Sequence, residues 1–438
     1  MSYSTRNYLF IFLLFVTTVF VATPARSEIS QAEKEATYRQ LEIFSNILSI
    51  LQENYIEEID TKEVLNGAIR GLLFSLDPHS SYLPPEDFKE FQEETRGSFS
   101  GIGIEVTIKN DLLTVVSPIV DTPADRAGIK TNDIIIEIDG QKTKNLGPYE
   151  TIKKLRGPRG SKVTITIIRK GISTPRTFTI RREFIPLQSV KAHFLSPGFV
   201  YVRITSFQSH TTNDLKNKIK ELTLQHKIDG LILDLRNNPG GLLHQAVTVS
   251  DIFLDTGVIV STKGRKSDQN TIFKAHNNGS GYDYPLVVLV NEGSASASEI
   301  VAGAIQDHKR GIIVGTQTFG KGSVQTIIPL PDGAGLRMTT AQYYTPSNRS
   351  IQALGITPDV NVPFIPTIPE SNSPKKRQLK EADLANHLPG LGEEKNKTSK
   401  HGNSNRLKKI LKEDNQLLTA YNILKSLNLF SEFKNVGK

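Results

Sequence analysis

A chain of 438 residues with a net charge of +8 and no cysteine is too long for one ordinary domain, so two or three are expected, and disulfides, thiolate nucleophiles and cysteine-based zinc sites are excluded. The basic excess is modest and gathers near the C-terminus, as in Lys375-Lys376-Arg377 and Arg406-Leu407-Lys408-Lys409. No base-reading or stacking motif accompanies it, so nucleic acid is not an expected partner, and no motif calls for a cofactor or a metal.

Arg6, the apolar stretch from Tyr8 to Ala22 and the small residues of Ala25-Arg26-Ser27 have the order of a secretory signal over residues 1–27. A retained membrane anchor is the alternative, although the run is short for the ~20 residues that a span needs. Either way the expectation is an exported protein of the periplasm or cell envelope. Residues 28–96 read as helical. Leu41, Phe44, Leu48, Leu51 and Tyr55 recur on one helix face, and Val64, Ile69, Leu72 and Leu73 make a second patch. Asp77-Pro78-His79 stops that helix, and Leu83-Pro84-Pro85-Glu86 opens another.

From Gly97 the texture changes. Ile102, Ile104, Val106 and Ile108 alternate like a strand, and further short strands with two small helices follow, giving a compact α+β module over residues 97–170. Residues 171–366 alternate strands (199–204, 230–235, 286–290, 312–314) with helices (211–225, 242–253, 296–306), with Thr211 or Thr212 as N-cap of the first. This pattern predicts a layered α/β core. Residues 367–405 are rich in Pro, Ser, Lys, Asn and Gly and read as a linker. Residues 406–438 end in an amphipathic helix whose stripe of Leu417, Tyr421, Leu424 and Leu427 is suited to docking on its own domain or on a second subunit.

Three segments carry chemistry. Gly293-Ser294-Ala295-Ser296-Ala297-Ser298-Glu299 follows a strand and opens a helix. Small residues there permit tight packing and supply an N-cap; the same place offers a nucleophile the positive end of a helix dipole. Lys321, in Phe319-Gly320-Lys321-Gly322-Ser323, follows Ser296 by 25 residues. As a base it must be neutral, so burial has to lower its pKa from ~10.4, and it would then activate a serine hydroxyl. The other reading is a surface lysine in a glycine-rich turn. If residues 321–325 are extended, Lys321, Ser323 and Gln325 share a face, and Gln325 would hold the lysine amine. The third segment runs Leu231 to Gly241, a buried strand entering an Asn-Asn-Pro-Gly-Gly turn. The amides of Gly240 and Gly241, with that of Ala297, would make an oxyanion hole, unless the turn is only a turn.

Five segments in this order resemble the carboxyl-terminal processing peptidases, or tail-specific proteases, of the serine/lysine type: Leu76-Asp77-Pro78-His79-Ser80-Ser81-Tyr82-Leu83, Phe99-Ser100-Gly101-Ile102-Gly103-Ile104, Asp234-Leu235-Arg236-Asn237-Asn238-Pro239-Gly240-Gly241, the serine run extended to Ile300, and Phe319 to Gln325. The resemblance implies Ser296 as nucleophile, Lys321 as base and Gln325 as its support. It implies an α/β protease core with an inserted α+β PDZ domain, an N-terminal helical segment and a C-terminal helix. It also implies Gly101-Ile102-Gly103-Ile104 as a carboxylate-binding loop of backbone amides, to whose sheet a substrate tail adds as a strand. Partners would be proteins or peptides with apolar C-terminal tails, and a second copy of the chain bound through the terminal helices. Arg156 either couples peptide docking to the active site or forms a surface ion pair. Two other readings remain: a PDZ-containing periplasmic His-Asp-Ser protease with His79, His244 or His308 as base, and an inactive PDZ adaptor that only binds tails. The absence of a Gly-Asn-Ser-Gly-Gly turn weighs against the first, and the intact Ser296, Lys321 and Gln325 against the second.

Overall fold

The computed structural model describes residues 30–365 and 411–436, apart from 110–111, 120, 146–147 and 278–281; the signal segment and the linker expected from the sequence lie outside these residues. The chain divides after Gly71 into two compact units. The first carries α1 (Gln31–Asn54), whose start is fixed by a reciprocal cap: Glu33 N–H donates to Ser30 Oγ at 3.2 Å, and Ser30 N–H to Glu33 Oε2 at 2.9 Å. No residue of α1 is buried, so Leu41, Phe44, Leu51 and Tyr55 of its stripe are exposed. Helix α2 (Thr61–Phe74) follows.

Beyond it come β1 (Ser81–Leu83), α3 (Pro85–Thr95) and β2 (Ser98–Gly101). The small module comprises β3 (Ile104–Lys109), β4 (Leu112–Pro118), α4 (Pro123–Arg126), β5 (Ile134–Ile138), β6 (Gln141–Lys142), α5 (Pro148–Leu155), β7 (Lys162–Ile168) and β8 (Arg176–Arg181). Its antiparallel sheet runs β3-β4-β5-β7-β8, with β6 on β5. The period of two sets its core: Val163, Ile165 and Ile167 of β7 are fully buried, while Thr164 and Thr166 face across to Thr179 and Thr177. β9 (Glu183–Pro186) pairs with β2, so the chain enters and leaves the module through one two-stranded ribbon.

The core follows: β10 (Val190–Ser196), β11 (Phe199–Ile204), α6 (Thr211–Gln225), β12 (Gly230–Asp234), α7 (Leu243–Phe253), β13 (Val258–Gly264), β14 (Thr271–Lys274), β15 (Leu286–Val290), α8 (Ala297–Asp307), β16 (Ile312–Gly315), β17 (Ser323–Pro329), β18 (Gly335–Tyr344), β19 (Val360–Asn361) and α9 (Asn415–Val436). One sheet runs β10-β11-β12-β15-β16-β19 and is parallel from β11 onward. A second, antiparallel sheet runs β1-β18-β13-β14, with β17 on β18. Thus Ser81–Leu83, within the segment read as helical, is a strand of the core. The N-cap of α6 is His210; Thr211 and Thr212 lie inside the helix, where Thr212 bonds Gln245 Oε1 instead.

Every residue of β12 and β15 is buried, as expected of parallel strands covered on both faces. Leu231, Leu233, Val288 and Val290 join the cluster beneath α6, α7 and α8. Ile232, Val287 and Leu289 pack with Leu417, Ala420, Tyr421 and Leu424 of α9. The terminal helix therefore docks on its own sheet. Its start is pinned by Arg236, which reaches Asp234 at 2.7 Å and Asp414 at 2.8 Å.

Candidate active site

β15 delivers the chain to a turn whose three serines have different neighbours. Ser294 is buried; its hydroxyl donates to Leu235 O at 2.8 Å and accepts from Asn291 N–H at 3.0 Å. Ser298 is buried too, and donates to Asn238 O at 2.9 Å. These bonds tie the turn to the segment that follows β12. Ser296 is half-buried at the N-cap of α8, and its side chain makes no capping bond. Its φ of 55° is unusual for a residue with a side chain, a strain of roughly 1–3 kcal/mol that persists only where the surroundings hold it.

Glu299 is what holds it. This carboxylate is fully buried. Its Oε2 accepts from Ser296 N–H at 2.8 Å and from Lys321 N–H at 2.9 Å; its Oε1 accepts from Gly320 N–H at 2.7 Å and the Thr318 hydroxyl at 2.6 Å. One oxygen thus gathers the backbone amides of both residues of interest, which stand less than two hydrogen-bond lengths apart. Phe319 N–H donates to Ser294 O at 3.1 Å and closes the same junction. The Ser296 hydroxyl and the Lys321 amine form no hydrogen bond to each other in this arrangement. Sequence reasoning overlooked Glu299 in this role, although an acidic residue three positions after an N-cap serine was a signal for at least the Ser296 contact.

Lys321 is half-buried in the loop before β17. Burial, joined by the nearby Arg337, holds its amine below the usual lysine range against the opposing pull of Asp77. His79 lies close enough for Lys321 to push it down as well, after burial, which is the larger cause. Gln325 lies on β17 and donates to Ser323 Oγ at 2.9 Å, with a longer contact to Thr339 Oγ1 at 3.5 Å. It makes no hydrogen bond to the lysine amine here, and the extended stretch begins only at Ser323, so the expected shared face does not include Lys321.

The oxyanion candidates divide. Gly240 N–H donates to the Asn238 side chain at 2.9 Å and is committed. The amides of Gly241 and Ala297 have no partner among the described residues. Gly240 instead provides clearance: its φ is 102°, and a Cβ there would lie 2.9 Å from Ser296 Cβ and 3.0 Å from Ala297 N. Of the histidines, His308 caps the far end of α8, roughly 18 Å along the helix from Ser296 at 1.5 Å per residue, with its ring on Val258 O at 2.7 Å. His244 is exposed in the first turn of α7, and of these three candidates His79 is the one near the lysine.

In the small module, Gly101 ends β2 and Ile104 begins β3. Ile102 buries its side chain in the module's core and so offers only its backbone. Gly103 has a φ of 79°, and a Cβ there would come within 2.3 Å of Thr122. The amides of Ile102 and Gly103 have no partner among the described residues. β3 is the end strand of its sheet, so its outer edge is open beside this loop. Arg156, at the end of α5, bonds Glu90 at 2.9 Å and Glu94 at 2.5 Å on α3, and its guanidinium lies 4.9 Å from the centre of the Phe99 ring. It joins the module to α3 through two ion pairs.

Comparison with known proteins agrees with this architecture. Residues 198–362 match the family model of peptidase family S41, residues 114–169 that of the PDZ domain, and residues 11–87 that of the N-terminal domain of the activating protease CtpB. A carboxy-terminal-processing protease of Bartonella bacilliformis is 43% identical over 419 residues, covering 94% of this chain and 95% of the relative. A carboxyl-terminal-processing protease of Synechocystis is 38% identical over 76% of this chain and 79% of its own length. Among solved structures, the photosystem II D1 C-terminal processing protease aligns at 34% identity and a TM-score of 0.45, over 75% of this chain and 88% of its own. The chain therefore belongs to the carboxy-terminal-processing proteases of peptidase family S41, serine-type peptidases, and carries a PDZ domain.

Proposed function

We propose that Ser296 is the nucleophile and Lys321 the general base of an acyl-transfer mechanism, and that the PDZ domain holds the free carboxylate of a substrate's apolar tail. One observation carries the first part: of the three serines in the turn, the one whose side chain is uncommitted is also the one whose amide shares a carboxylate oxygen with the amide of Lys321. Substrate binding has to bring hydroxyl and amine into bonding contact, as catalytic hydrogen bonds often form only in the Michaelis complex. The neutral amine then takes the hydroxyl proton as Ser296 Oγ bonds to the carbonyl carbon. The carbonyl oxygen becomes negative and faces the N–H groups of Gly241 and Ala297 at the positive end of α8. On collapse the C–N bond breaks, and the Lys321 ammonium gives its proton to the leaving amine. Water then attacks the ester, one of its protons passing through Lys321 back to Ser296 Oγ as the ester C–O bond breaks, and the peptide leaves as a carboxylic acid that gives its remaining proton to solvent. Gln325 holds the amine once it turns towards Ser296.

The tail reading rests on the two free amides before an open strand edge. A carboxylate would accept from Ile102 and Gly103 while the tail extends along β3. Ser296→Ala and Lys321→Ala should each abolish cleavage of a peptide with a free apolar C-terminus, whereas changes at His79, His244 or His308 should not. A histidine variant that is dead beside an active Lys321→Ala would overturn the mechanism. Equal cleavage of the C-terminally amidated peptide would overturn tail recognition alone. We also infer export from Arg6, the apolar run and Ala25-Arg26-Ser27, to be checked by cell fractionation. A homodimer through the terminal helices is also inferred: the α9 stripe is taken up by its own sheet, which leaves the exposed stripe of α1 as support, and a monomer mass in sedimentation would count against it.

A further inference from the structure

We infer that Asp77 is a positioning residue for the lysine base, acting through Thr339 and Gln325; this rests on the reading of Lys321 as base. The reasoning concerns hydrogen-bond polarity. A carboxylate only accepts. Asp77 accepts from His79 N–H at 2.7 Å, Ser80 N–H at 2.8 Å and the Ser80 hydroxyl at 2.7 Å, and from the Thr339 hydroxyl at 3.2 Å. The single hydroxyl proton of Thr339 is thereby directed at Asp77, which leaves its lone pairs for Gln325. Both contacts of Gln325 fall on its NH2 end, to Ser323 and Thr339. Its carbonyl oxygen Oε1 receives no hydrogen bond from the described residues, and is left as the acceptor for the Lys321 amine. Were Thr339 to donate to Gln325 instead, the amide would turn over and present N–H groups to a cation.

The register of the second sheet brings these groups together. Ser81 pairs with Arg337, and Thr339 N–H donates to Ser80 Oγ at 3.2 Å, so the segment after α2 is fastened along β18. On the other side of β18 lies β17, with Gln325 paired to Thr339. Among the described residues, the charged and titratable groups that act on the lysine amine, or that it acts on, are Asp77 and His79 from that segment and Arg337 from β18.

The test compares full-length Thr339→Val, Thr339→Ser, Asp77→Asn and Lys321→Ala with the parent protein, measuring kcat, KM, the pH dependence of kcat and Tm. Thr339→Val and Asp77→Asn should lower kcat about tenfold, less than the ~10²–10⁴-fold that the acid–base group itself contributes because the base is still present, with KM unchanged. The acid limb of kcat should move to lower pH in both, because the ammonium loses an acceptor. Thr339→Ser, which keeps the hydroxyl, should restore both values. Parental kcat and limb in Thr339→Val overturn the inference. So does a fall in kcat that only tracks a lower folded fraction, with the limb unmoved. An active Lys321→Ala removes the base reading itself, and the inference with it.

Discussion

Replacing Glu299 by Gln exchanges one carboxylate oxygen for an NH2 group at a fully buried junction. The parent side chain receives four hydrogen bonds, two at each oxygen. One way round, the NH2 end meets the Ser296 and Lys321 amides and leaves both donors unpaired; the other way round it meets the Gly320 amide, which is left unpaired, and the Thr318 hydroxyl, which can turn to accept from it. Unpaired donors cost ~1–3 kcal/mol each, so the loss is about 1–6 kcal/mol. Against a stability of roughly 5–15 kcal/mol that is a large share, and on the order of 10 °C in Tm for a core of this size. Turnover should fall further than the folded fraction does, because the positive φ of Ser296 and the position of Lys321 depend on the same atom. Thermal unfolding and kcat, normalised to folded enzyme, measure the two effects separately. Parental Tm and kcat in the Glu299→Gln enzyme would refute the reasoning, and a lowered Tm with parental kcat per folded molecule would reduce Glu299 to a structural brace.

The pH profile follows from the lysine. Its amine must be neutral to act, so kcat should rise with pH through a limb centred below the ordinary ~10.4, and Arg337→Gln should move that limb upward by removing a neighbouring positive charge; a limb at or above the ordinary lysine value would contradict burial as the cause. Gly240→Ala places a methyl against Ser296 and should reduce kcat by about 10²-fold through misplacement of the nucleophile, while a parental rate would show the turn to be yielding. Leu424→Ala in α9 should cost about 2–5 kcal/mol in chemical unfolding, since that side chain is fully buried against the parallel sheet; a neutral result would mean that the helix leaves the sheet in solution.

The parallel sheet could be read from the chain because strands covered on both faces are written as apolar runs, as in Leu231–Leu233 and Leu286–Val290. The second sheet could not. β1 has three residues between a helix stop and a proline pair, and β18 carries Arg337, Thr339, Thr340 and Gln342 on incompletely covered faces. The positions of Ser296 and Lys321 were legible as motif, but what assembles them was not. Glu299 resembles a local cap until Thr318, Gly320 and Lys321 arrive from another strand connection. Likewise, nothing in Asn-Asn-Pro-Gly-Gly reveals that the Asn238 side chain occupies one glycine amide and leaves the next one free. The docking of α9 required knowing that Ile232, Val287 and Leu289 turn a second apolar face of the sheet towards it.

The ribbon of β2 and β9 carries a wider implication. Gly101 and Glu183 are paired neighbours, so the two points where the PDZ domain is spliced into the protease core sit side by side. Excising what lies between would leave ends that a short link could rejoin, without pulling on β12, α8 or the loop of Lys321. Such a cassette lets selection alter which tails are captured while the bond-breaking machinery is left alone, and it offers the same freedom to anyone who wishes to graft a different reader onto this hydrolase.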